Sequence, residues 1–174
     1  MYLLQKKWYW LNRFILMNLE HKKTILRKIP NGLFITTAKK GDHATGAVIS
    51  LVTQISIDPS YIAIAIRKDS SLYNVAENNK YLAIHFPSKE QQSMVSAFFK
   101  IKDQSENSIN GYTYSWSDFD NPILDDIPMI LEVEIIEIVV KGDHPIFICE
   151  VANTILRQDV EMLTMADTSW HYGG

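Results

Sequence analysis

HATGAVISLVTQISIDP, residues 43–59, reads as a β-strand with too little side chain. Val48, Ile49, Val52, Ile55 and Ile57 suit a pleated sheet. Between them stand Ala44, Thr45, Gly46, Ala47, Ser50, Thr53 and Ser56, all small or hydroxyl-bearing. A glycine inside a strand weakens it and often marks close approach of another group to the backbone. Two readings stand side by side. Either a planar ligand lies against the exposed amides, with Ser50 and Thr53 supplying hydrogen bonds, or a neighbouring backbone packs tightly there.

Strand signals continue on both sides. NGLFITTA (31–38) is a turn and a strand, and KKGDH (39–43) is the turn into the thin segment. Asp58-Pro59 breaks the pattern, and YIAIAIR (61–67) alternates cleanly. YLAIHF (81–86) and GYTYSW (111–116) are short strands. MILEVEIIEIVV (129–140) alternates and then shifts phase at Ile136, which predicts a β-bulge. HPIFICEVANTILR (144–157) is the returning strand after a Lys141-Gly142-Asp143 turn. Helices are expected over 18–29, ending at Pro30, after Asp69-Ser70-Ser71, and from a Ser88 cap to about Phe99. KIKDQSENSING (100–111) reads as a polar loop. Strands at hairpin spacing with two or three helices between them predict a mainly β fold, a closed or nearly closed antiparallel barrel with peripheral helices.

Composition narrows the function. The 174 residues favour one domain, and 47% apolar content is enough for a core. A formal charge of −3 leaves no basic footprint of the kind that nucleic acid requires. The single cysteine, Cys149, lies among apolar neighbours, fits a buried strand thiol and suits a reducing, cytoplasmic setting. Residues 1–17 are basic and aromatic, but Asn12 and Arg13 interrupt any membrane span. Leu4, Trp8, Leu11 and Ile15 fall at helical spacing, so this extension reads as a packing helix, a membrane-surface anchor, or an upstream misassignment with synthesis starting at Met17.

Phosphate-binding glycine motifs, zinc-protease motifs and nucleophile elbows are all missing. The five histidines lack metal-ligand spacing, so no metal is expected. Two further stretches carry chemistry. RKDSSLY (67–73) sets Arg67 and Lys68 beside Ser70 and Ser71 at a helix start. It reads either as a phosphate site or as an ordinary N-cap with solvated charges. His144, after the Gly142-Asp143 turn, is either a proton donor or orienting group, or a hydrogen-bonded turn histidine.

Four motifs in order resemble the flavin reductase-like family, the FMN-binding split β-barrels: PNGLFITT (30–37), VTQISIDP (52–59), the segment beginning RKDSSLYNVAENNKYLAIHF (67–86), and GDHPIFICEV (142–151). The WHYGG tail (170–174) is similar to the ends of several members. The resemblance spans residues 18–174 and sets 1–17 apart as an extension. It implies that Thr45, Gly46, Ala47, Val48, Ile49, Ser50, Leu51, Val52 and Thr53 line FMN, and that Arg67, Lys68, Ser70 and Ser71 hold its phosphate. It also implies that His144 sits near the flavin as the catalytic side chain, and that Trp170, with Tyr172, closes over the ring or reaches a partner subunit. The implied activity is NAD(P)H-dependent FMN reduction in a homodimer with the flavin at the interface. The alternative is a flavoredoxin-like electron carrier that does not use NAD(P)H directly. The sequence departs from the family at Ile49 or Ser50, where many members have Asn, and in LAIHF, where His85 either faces the pocket or replaces a polar edge residue.

Overall fold

The structure is a computed structural model and describes residues 17–173. The helical spacing noted within residues 1–16 lies outside the described residues. The chain divides into two compact units, one of residues 31–168 and one of residues 1–30 with 169–174.

The larger unit is built on a seven-stranded antiparallel sheet. Its strands are β1 (Phe34–Lys40), β2 (His43–Ile49), β3 (Val52–Ser56), β4 (Tyr61–Ala65), β5 (Tyr81–Phe86), β9 (Met129–Val139) and β10 (Ile146–Leu156). The order is β2-β1-β5-β9-β10-β4-β3. The thin segment is therefore two strands rather than one. It breaks at Ser50-Leu51, and its halves form opposite edges of the same sheet. Ile49 and Val52 are three residues apart, so the two edges come within about 11 Å of each other. The sheet must curl until its edges nearly meet, yet β2 and β3 do not pair. The barrel is thus an open one, split along this seam.

Pleating sends one face of every strand inward. Phe34 and Ala38 of β1, Ile49 of β2, Ile62 and Ile64 of β4, Leu82 and Ile84 of β5, Val133 of β9, and Phe147 and Cys149 of β10 form one core. The helix α2 (Ser71–Ala76) adds Leu72, Tyr73 and Ala76 to it. Tyr73 meets Phe147 edge-on at 5.8 Å between ring centres.

The outer face of β1 and β5 is covered by a second sheet of β6 (Ser108–Ile109), β7 (Tyr112–Trp116) and β8 (Pro122–Leu124). A 3₁₀ turn (Lys89–Gln91) opened by a Ser88 capping box leads into α3 (Gln92–Ala97). Thr37 Oγ1 donates to the Pro122 carbonyl at 2.6 Å. The His85 Nε2 accepts from the Leu124 amide at 3.0 Å, so its Nδ1 carries the proton and donates to the Ile35 carbonyl at 2.9 Å. His85 thus faces this covering layer, where it clamps the two sheets together. Glu132, wholly buried on β9, accepts hydrogen bonds from Ser117, Asn121 and Asn153.

The bulge predicted from the phase shift is present. Ile148 pairs with Glu137 and Cys149 with Ile135, leaving Ile136 as the extra residue. A second irregularity at Ala152 bends β10 as it passes Glu132.

In the smaller unit, α1 (Leu19–Leu26) starts at Asn18, whose side chain accepts from the His21 amide. Arg27 Nε donates to the Gly173 carbonyl at 3.1 Å, tying the C-terminal tail to this helix.

Candidate functional site

Three stretches that are distant in sequence meet at one end of the split barrel. The Ala65 amide donates to the Leu51 carbonyl at 2.9 Å. One residue on, the Ile66 amide donates to Pro145 at 3.1 Å, and the Lys68 amide to Asp143 at 2.9 Å. These backbone bonds bring the β2–β3 joint, the RKDSS segment and the GDHP turn side by side. Antiparallel pairing of β4 with both β3 and β10 produces this meeting.

At the joint, Ser50 is buried, 7% exposed, and its hydroxyl finds no partner within the protein. An unmade buried hydroxyl costs about 1–3 kcal/mol, so its retention beside the open seam is what a polar ligand would explain. The bare backbone also has a place, because β2 and β3 are edge strands and each presents unpaired amides and carbonyls on one side. Gln104 caps part of the β2 edge through the Ala44 carbonyl.

The small residues of β2 serve two ends. A Cβ at Gly46 would lie 3.2 Å from the Thr36 carbonyl oxygen and 3.3 Å from the Phe98 ring. Gly46 is thus small because α3 and β1 press on it. Thr45 is buried opposite Ala38 on the core side. Ala47 and Val48 are half-buried, Ile49 joins the core, and Val52 packs against it. Leu51 and Thr53 are exposed. Of the nine residues 45–53, Ser50 and Leu51 form the joint and the other seven lie on the two edge strands.

Arg67, Lys68, Asp69 and Asp143 line an open cleft of about 530 Å³. The guanidinium of Arg67 engages both carboxylate oxygens of Asp69, with Nη2 to Oδ2 at 2.7 Å. The Arg67 hydrogen bond holds the Asp69 carboxyl below the usual carboxylate range. The His144 Nδ1 lies 3.0 Å from Asp143 Oδ1, and this bond likewise lowers the Asp143 carboxyl. Ser70 is the N-cap of α2, its hydroxyl accepting from the Tyr73 amide at 3.1 Å, and Ser71 is exposed. The N-cap reading of this run is therefore satisfied. Lys68 and Ser71 are exposed beside this cap. Trp170, half-buried, belongs to the smaller unit.

Sequence reading missed Asp69 and Asp143 as the partners of Arg67 and His144. It also missed Thr36, a second buried hydroxyl with no partner, paired across from Ala47. The acid two residues after Arg67 and the acid before His144 were the available signals.

Comparison with known proteins agrees with this architecture. The family described as "Flavin reductase like domain" matches residues 26–173. A high molecular weight rubredoxin of Moorella thermoacetica is 31% identical over 143 residues, 81% of this chain and 62% of the relative. An NADH:FMN oxidoreductase of Rhodococcus qingshengii is 24% identical over 141 residues, 80% of this chain and 71% of the relative. The chain thus spans less than two thirds of the rubredoxin's length. The flavin reductase domain protein of Arthrobacter sp. FB24 superposes with a TM-score of 0.75 at 17% identity, covering 87% of this chain and 92% of that one. At that identity the superposition speaks to the fold.

Proposed function

This chain belongs to the flavin reductase like family, and from that footing we propose that it is an NAD(P)H-dependent flavin reductase that binds FMN at the β2–β3 seam. The unpartnered Ser50 hydroxyl beside open strand edges carries this reading. Residues Ala47 to Thr53 would hold the ring and ribityl chain through edge amides and hydroxyls. Thr45 and Gly46 would support them from below. Lys68, Ser70, Ser71 and Arg67 would receive the phosphate. His144, held by Asp143, would orient the nicotinamide or deliver a proton at the ring edge.

When bound, the flavin supplies the redox chemistry, accepting hydride equivalents from the nicotinamide. The chain's own work is to bind and orient the two planar groups and to offer oriented backbone dipoles to developing negative charge. No strong base is needed, which accords with the missing catalytic triads. The proposal extends to a homodimer with the flavin at the interface. Supporting this, Leu51, Ile55, Ile57 and Ile146 are exposed apolar residues at the β2–β3 joint, on β3, in the turn after it and at the start of β10, beside the proposed site.

A second reading is an FMN-binding electron carrier without direct use of NAD(P)H. Its support is the relative at 31% identity, which is named as a rubredoxin and not as a nicotinamide oxidoreductase. One experiment separates the two. The purified protein, reconstituted with FMN, is mixed anaerobically with NADH and then NADPH while the flavin absorbance is followed. Rapid bleaching by a nicotinamide establishes the reductase. Bleaching by dithionite alone establishes the carrier, and a protein that takes up no FMN overturns both.

A further inference from the structure

We infer that the N-terminal unit carries a docking face for an anionic lipid surface, with α1 as its described part. The helix has no buried residue. Leu19, Ile25 and Leu26 are 57%, 67% and 40% exposed. At 100° per residue these three fall within one arc of about a third of the helix circumference. Lys22 stands within that arc and Lys23 along its border, and Arg27 and Lys28 follow in the turn after the helix. Cations beside an apolar stripe can lay their stems along it and lift their charges to the headgroup level. An eight-residue helix that buries nothing is marginal in water, so a surface that covers its apolar side would stabilise it.

Charge favours lipid as that surface. Residues 1–29 hold seven Lys and Arg against the single Glu20, a net of +6. The whole chain carries −3, so the other residues carry −9. The basic N-terminal residues would be drawn to an anionic bilayer, which the acidic remainder of the chain would not be. The sequence upstream of α1 adds Trp8, Tyr9, Trp10 and Phe14 among Lys6, Lys7 and Arg13, the composition of an interfacial segment and not of a span. The chain has no described helix long and apolar enough to cross a membrane.

The test is co-sedimentation of the full chain with vesicles of phosphatidylcholine alone and of an equal mixture with phosphatidylglycerol. The expected result is binding to the mixed vesicles only, reversed by salt. The double variant Lys22→Gln/Lys23→Gln should weaken binding about thirtyfold. Ile25→Asp should abolish it, with the circular dichroism and FMN binding of the wild type retained. Absence of binding to either vesicle, or equal binding to both that ignores the lysine substitutions, overturns the proposal. So does an Ile25→Asp variant that converts a dimer to a monomer while the wild type ignores vesicles, which would assign the face to a second copy.

Discussion

Ser50 is the residue on which the site turns. Its hydroxyl is buried and unpartnered, an arrangement that costs stability unless something arrives to use it. Ser50→Ala should therefore leave stability equal or slightly higher while weakening FMN binding about fivefold, the worth of one hydrogen bond. Fluorescence titration of FMN checks this, and wild-type affinity in the variant would remove Ser50 from the site. His144 makes a different prediction. Its loss in His144→Ala should slow flavin reduction about tenfold or more in stopped flow, with the FMN dissociation constant unchanged. His85 acts on stability. Burial pushes its imidazole down to about 4, so the folded state keeps it neutral while the unfolded chain protonates near the ordinary 6.5. The unfolded state then binds the extra proton between these values. The stabilising contribution is complete above about pH 6.5 and is lost as pH falls toward 4, up to about 3 kcal/mol. Urea unfolding at about pH 7 and about pH 5 measures the difference, and His85→Gln should flatten it.

At the scale of elements, the β1–β2 hairpin shows two opposite packing errors that substitutions can probe. Gly46 has no room for a side chain, since the Thr36 carbonyl, the Thr37 methyl and the Phe98 ring all stand within 3.3 Å of its missing Cβ. Gly46→Val should cost about 1–3 kcal/mol by overpacking. Across the ladder, Thr36 is fully buried with a hydroxyl that bonds to nothing. Thr36→Val keeps the shape and removes the stranded polar atom, so it should raise stability by about 1 kcal/mol. Thermal melts of both variants decide the point, and a destabilised Thr36→Val would mean that the hydroxyl holds an internal water. The β9–β10 pair illustrates an element the sequence described well. The slip at Ile136 was visible as a break in alternation, because each extra residue in a strand flips every later side chain.

For the whole molecule, the exposed Leu51, Ile55, Ile57 and Ile146 are the surface on which the proposed dimer can be tested. Ile146→Asp should halve the mass seen in light scattering and reduce FMN affinity together, because the proposed site lies beside that face. A wild-type monomer, or a variant that dissociates and still binds FMN normally, would separate the site from the interface.

Alternation and turn chemistry were enough to place β1, β4, β5, β7, β9 and β10, the Ser70 and Ser88 caps and the bulge, because these depend on residues close in the chain, whereas β6 lay in a stretch read as a loop and β8 carried no signal. The thin segment 43–59 was legible as sheet only in outline. That it divides at Ser50, and that its halves form opposite edges of one sheet, follows from which strands pair, and pairing is set by contacts far apart in sequence. The same is true of the site. Arg67, Asp69, Asp143 and His144 each stood out or passed unnoticed as separate local features. The β3–β4–β10 ladder made them neighbours, while burial at the β2–β3 joint left Ser50 without a partner and burial of β5 beneath the second sheet left His85 without a charge. Local pattern carries backbone conformation, whereas burial and juxtaposition exist only once the sheet has curled.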